Sequence, residues 1–298
     1  MSRGSEFRHH TLENGLTIIA EVDPDSHTAG IGFFVKTGAR DEAPNLMGVS
    51  HFLEHMMFKG TDARTAENVD RDFDDIGANH NAFTTAELTA FWAHCLPEHL
   101  PRAEAVLSDI MRPALRDQDF NDEKSVILEE IAMYEDHPFW VLYEQSLERY
   151  YGEHPLGHRV LGTSDTVGGM DVDAMRAYFT ERYSADNTTV AMAGRVDFDA
   201  MVERLSEHCG DWPNTGTRRQ YSTHEPRRER FTIRKPRIAR AYILMAMPAP
   251  DITDDRRYAA SILSQILGGG DGSRLHWALV ETGQAEEAIV QFDGRDRV

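Results

Sequence analysis

The chain is 298 residues long and carries 31 Lys+Arg against 50 Asp+Glu, a formal net charge of −19. At ~100–200 residues per domain, that length holds one large domain or two moderate ones, enough to bury a core without disulfide or metal staples. The acidic balance excludes a dominant nucleic-acid surface, because neutralising phosphates takes a basic excess; it suits basic peptides or cations, although solubility alone also accounts for it.

Hydrophobic content of 41 % and charged content of 27 % exclude wholesale disorder. The two cysteines, Cys95 and Cys209, are too few for a disulfide framework or a Cys-rich zinc module. The opening residues lack the apolar core of a secretory signal, and no run approaches the ~18 apolar residues of a membrane span. These features point to a reducing, cytoplasmic setting.

In chain order, residues 15–22 (GLTIIAEV) and 29–35 (AGIGFFV) read as short strands. From residue 45 the apolar positions Met47, Phe52, Leu53, Met56 and Met57 follow helical spacing, with a stop at Gly60. A second helix is expected over 66–76, then extended segments at 80–84 and 88–95. Helices follow over 97–111, 119–135, 140–150, 172–183 and 198–209, with a strand at 188–193. This is an α+β domain, placed at residues 1–215.

Residues 211–230 are polar, hold Pro213, Gly216 and Pro226, and gather a basic cluster of Arg218, Arg219, Arg227, Arg228 and Arg230; they read as a linker. Strands are then expected at 231–234 and 239–247, a helix at 254–267, and another at 273–281. The β-β-α order repeats the start of the chain. Residues 216–298 are therefore expected to form the linker and the opening part of a second, similar domain that stops short at Val298.

The chemistry concentrates in His51-Phe52-Leu53-Glu54-His55. Residues four apart share a helix face, so His51 and His55 can aim two imidazole nitrogens at one point. Neutral imidazoles suit zinc, whose catalytic sites keep three protein ligands and one open position. Glu54 flanks the same face, where a carboxylate can take a proton from the attacking water. This is the inverted zincin order HxxEH. A third ligand is needed from another helix, and 119–135 offers Glu123, Glu129, Glu130 and Glu135. Glu123 and Glu130 share a face beside apolar neighbours, but spacing alone does not choose between them. The Gly268–Gly270 turn is not a phosphate loop, because it follows a helix and lacks the Gly-Lys-Ser/Thr ending. His137, His154 and His158 sit in loop-like contexts and are taken as non-ligands.

The stretch GVSHFLEHMMFKGT (48–61) resembles the zinc segment of the pitrilysin/insulinase (M16) peptidases, nearest in wording to their mitochondrial-processing-peptidase branch. NHNAFTTAELTAFW (79–92), HPLGHRVLGT (154–163) and ILGGGDGSRL (266–275) extend the resemblance along the chain. It implies a LuxS/M16-like domain, a mixed and mainly antiparallel sheet packed with helices, and an endopeptidase holding one zinc ion. It places the third ligand at Glu130, 75 residues beyond His55, with Glu123 as a supporting acid that orients a ligand histidine. It also makes His80, Asn81, Ala82 and Phe83 an edge strand to which an extended peptide adds as a further strand. Members of the family close a chamber from two similar halves, the later one supplying an Arg and a Tyr that grip substrate. No position here matches that pair, so a second subunit or a further C-terminal domain is expected to complete the chamber. The rival expectation is a non-catalytic scaffold of the same fold.

Overall fold

The computed structural model describes residues 4–236 and 238–298. Six strands form one sheet: β1 (Glu6–Thr11), β2 (Thr17–Val22), β3 (Ala29–Val35), β4 (Asn79–Thr84), β5 (Thr89–Cys95) and β6 (Thr188–Gly194), in the order β1-β2-β6-β3-β5-β4. Only the β2–β6 pair is parallel; the other four pairs are antiparallel. The helices are α1 (Val49–Met57), α2 (Ala66–Asp74), α3 (Leu100–Ile110), α4 (Asp117–Asp136), α5 (Pro138–Tyr151), α6 (Ser164–Gly169), α7 (Val172–Arg182), α8 (Phe198–Cys209) and α9 (Arg257–Gly268).

The period-two pattern of the strands decides where the core lies. Ile18 and Ala20 of β2, Ile31 and Phe33 of β3, Phe91 and Ala93 of β5, and Val190 and Met192 of β6 are buried in one cluster. Against this face pack α1, through Phe52, Leu53 and Met56, and α3, through Ala103, Val106 and Leu107. The opposite face is more open, with Ile19 40 % exposed. Helix starts follow capping chemistry: Thr65, Asp171 and Asp197 accept backbone N–H groups at the heads of α2, α7 and α8.

The β1 strand is absent from the sequence expectation. Its residues EFRHHT bury almost nothing, so no apolar alternation marks it; it forms by pairing with β2 at the sheet edge. In the other direction, residues 231–234 and 239–247 were expected as strands and are not. Among the described residues they pair with nothing, and Ile243, Met245 and Met247 are 88 %, 81 % and 73 % exposed. Strand propensity expresses itself against a partner strand, and none lies beside them. The helix expected at 254–267 forms as α9, and that at 273–281 shortens to a π-helical turn, His276–Val280. No helix among the described residues is long and apolar enough to cross a membrane.

Candidate active site

Helix α1 begins at Gly48, whose φ of +94° is left-handed and whose α-carbon lies where a side chain would come within 2.6 Å of the Leu161 carbonyl oxygen. Only glycine fits a backbone crossing that close. The first turn is held by Glu42, whose carboxylate accepts the N–H groups of Gly48 and Ser50, each at 2.8 Å. Burial drives the Glu42 carboxyl up to about 8, overcoming the two backbone hydrogen bonds that favour its anion. Nothing in the sequence marks Glu42, one of two adjacent acids between β3 and α1.

One turn on, His51 and His55 project from the same face of α1, their ring centroids 4.7 Å apart. Helix α4 crosses them. Its buried positions Phe120, Glu123, Ile127 and Ile131 form a stripe, and the stripe sets the register that brings Glu130 over α1. Val126, an apolar neighbour on the same helix, is half exposed. Glu130 Oε2 lies 3.8 Å from His51 Nε2 and 3.8 Å from His55 Nε2. His51, His55 and Glu130 are the group among the described residues whose ligand atoms converge, all within 4.8 Å of one another. A tetrahedral ion with bonds of ~2.0–2.1 Å needs ligand atoms about 3.4 Å apart, so the two approaches of Glu130 to the histidines stand a few tenths of an ångström beyond that spacing.

Glu123 lies behind His55, with Oε1 2.7 Å from Nδ1, which leaves Nε2 facing Glu130. Burial would raise the Glu123 carboxyl, but hydrogen bonds from Lys59 and His55 hold it below its ordinary value. Burial, and then the neighbouring His55, drive His51 down to about 4, so its ring is neutral, the state a metal requires. Among the described residues, His51 Nδ1 is buried without a hydrogen-bond partner. Thus two neutral-capable nitrogens and a carboxylate oxygen meet at one point, a donor set that fits zinc.

Glu54 projects beside this group. Thr84, the last residue of β4, donates its hydroxyl to Glu54 Oε2 at 2.5 Å. Burial nevertheless raises the Glu54 carboxyl, the Thr84 hydrogen bond pulling the other way. A carboxyl tuned upward in this manner is suited to hand a proton on as well as to take one.

Among the described residues, strand β4 pairs only with β5, so its other edge has no strand partner. Of the four residues expected to meet a peptide there, Phe83 is 41 % exposed, and Asn81 turns its side-chain carbonyl to the Ala82 N–H at 2.8 Å. The His80 ring stacks on Phe73 at 4.1 Å, which places it against the core. Ala82 likewise packs against the core cluster. Thr84 and Lys59 carry no signal of their own in the sequence, although both stand inside the quoted motifs. His158 binds the Ala39 carbonyl and His154 the Ser222 carbonyl, away from the convergent group.

The family model described as Insulinase (Peptidase family M16) matches residues 17–164, and that of the Peptidase M16 inactive domain matches 169–295. The chain belongs to the insulinase, or M16, family of peptidases. It is 34 % identical over 270 residues to an uncharacterized zinc protease of Bacillus subtilis, covering 90 % of this chain and 66 % of that one. An uncharacterized zinc protease of Streptomyces coelicolor is 35 % identical over 279 residues, covering 90 % and 60 % respectively. The chain therefore spans some three-fifths to two-thirds of the length of these curated relatives. A crystal structure of a protease from Helicobacter pylori shares the fold, with a TM-score of 0.85 at 21 % identity, covering 98 % of this chain and 73 % of that one.

Proposed function

We propose that this chain is the metal-bearing half of a zinc endopeptidase that hydrolyses extended peptides. The observation that carries the reading is the convergence of His51 Nε2, His55 Nε2 and Glu130 Oε2 beside a carboxylate, Glu54, that is anchored to an open strand edge. His51, His55 and Glu130 hold one zinc ion, which when bound supplies Lewis acidity to water and to the scissile carbonyl. Glu123 fixes the tautomer of His55. The open edge of β4 receives the peptide backbone through main-chain hydrogen bonds, largely independent of sequence. Glu54 takes the proton of the attacking water and delivers it to the departing amine, which leaves as a neutral group.

Residues 1–215 form the peptidase domain, and residues 216–298 are its linker and the first part of a second one. The exposed apolar side chains Tyr258, Ile262, Leu263 and Ile266 of α9, with Ile243 and Met245, support that division, because such a surface is ordinarily covered by more protein. A further domain or second subunit covers it and closes the chamber. The net charge of −19 favours basic peptides.

The test is zinc content of the purified protein, followed by turnover of a quenched basic peptide with and without chelator. Bound zinc with chelator-sensitive turnover is expected. Zinc without turnover would favour the scaffold or partner-dependent reading, and a chain that binds no zinc refutes the proposed centre.

A further inference from the structure

Residues 211–230 cross the surface without regular structure, and most are exposed. The Arg219 side chain is an exception, only 3 % exposed. Its Nε and Nη2 donate to the two carboxylate oxygens of Asp41, at 2.9 and 2.6 Å, and Nη2 also donates to the Glu87 carbonyl at 2.5 Å. The Glu87 carboxylate in turn pairs with Arg40 and accepts the Asp296 N–H at 3.2 Å. One buried charged cluster thus joins the turn after β3, the β4–β5 turn, the linker and the stretch around residue 296.

The β4–β5 turn is the member of this cluster nearest the chemistry. It lies on the turn after β3, where Ala39 and Arg40 donate their N–H groups to the Thr85 and Ala86 carbonyls at 3.2 and 2.8 Å. A side chain at Gly38 would come within 2.4 Å of the Thr85 oxygen, so the two turns are in backbone contact. Thr84, immediately before Thr85, is the residue whose hydroxyl holds Glu54.

We propose that Arg219 is a positioning residue for Glu54. By pinning the β4–β5 turn it sets the Thr84 hydroxyl on the carboxylate, so seating of the linker and orientation of the base are coupled. The inference rests on the peptidase reading of the site. It needs an arginine, because one planar fork reaches the Asp41 carboxylate and the Glu87 carbonyl together, which an ammonium cannot do. The neighbouring Arg218 is a natural control: it is 73 % exposed and pairs with Asp186 instead.

Hydrogen exchange on the whole zinc-loaded chain tests the pinning. Arg219→Gln and Arg219→Lys are expected to speed exchange of the amides of residues 85–88 by about tenfold or more, with α3 amides and the Arg218→Gln variant unchanged. The lysine variant keeps the buried charge balanced, so it guards against simple failure to fold. Wild-type exchange at the turn in Arg219→Lys overturns the proposal, whatever the activity. Peptide turnover tests the coupling. Thr84→Val is expected to lower kcat far more than it changes KM, Thr84→Ser to restore it, and Thr84→Val to cost little further in an Arg219→Gln background. Additive effects would show that Arg219 does not act through Thr84. A zinc-loaded wild type that turns over no peptide would instead favour the scaffold or partner-dependent reading of the site, while exchange at the turn still reports the pinning.

Discussion

His55 and Glu123 are joined across two helices: Nδ1 of the imidazole lies 2.7 Å from Oε1 of a carboxylate that is itself 68 residues further along the chain. The bond does two things at once. It leaves Nε2 of His55 facing Glu130, and it locks the register of α4 on α1. Glu123→Ala should therefore weaken zinc binding by about 10–100-fold without removing a ligand. Competition with a chelating dye measures this, and unchanged affinity would remove Glu123 from the metal's support. The Lys59–Glu123 ion pair predicts a smaller effect of the same sign for Lys59→Met.

On the proposed reading Glu54 handles protons and does not hold the ion. Its carboxylate is engaged by Thr84 and lies outside the convergent group. Glu54→Gln should retain full zinc occupancy while kcat falls by about 10²–10⁴-fold, the usual worth of a positioned acid–base group. His51→Ala and Glu130→Ala should lose zinc and turnover together. Metal analysis beside peptide assays separates the two classes; a Gln variant that cleaves at the wild-type rate would exclude Glu54 as the base.

The legibility of the site followed its distance along the chain. His51, Glu54 and His55 lie within five residues, so helical geometry alone shows which face they share. Glu130 comes from a helix whose register depends on how Phe120, Ile127 and Ile131 pack, and spacing within 119–135 left Glu123 and Glu130 equivalent until the resemblance separated them. The same rule covers the fold. Strands β2, β3 and β5 announce themselves by buried alternation, whereas β1 has no buried face to announce. The placement of β6 between β2 and β3 is a long-range choice that no local pattern encodes. Residues 239–247 show the converse: an apolar run without a partner strand stays irregular.

Gly48 tests how tightly the head of α1 is built. Its φ of +94° and the 2.6 Å approach to the Leu161 carbonyl both disfavour a β-carbon. Gly48→Ala should cost about 1–3 kcal/mol of stability, read as a lower urea midpoint with an unchanged slope. Because the helix carries both histidines, zinc affinity should fall as well. A midpoint equal to wild type would mean that the crossing with Leu161 relaxes freely.

Glu42 gives stability a pH dependence opposite in sign to that of an ion-paired carboxylate. Burial raises its carboxyl in the folded chain from 4.5 to about 8, while the unfolded chain keeps the ordinary value. Between those two values the folded state holds a proton that the unfolded state has released. The contribution of Glu42 is therefore fully present below 4.5, and it is lost as pH rises through about 8, where folding must bury a carboxylate. Glu42→Gln cannot ionise and loses this dependence. Melting temperatures of wild type and variant, compared from about pH 5 to about pH 9, should show the difference moving in the variant's favour as pH rises. A difference that stays flat across that range would mean that the hydrogen bonds from Gly48 and Ser50 keep Glu42 ionised in the folded protein.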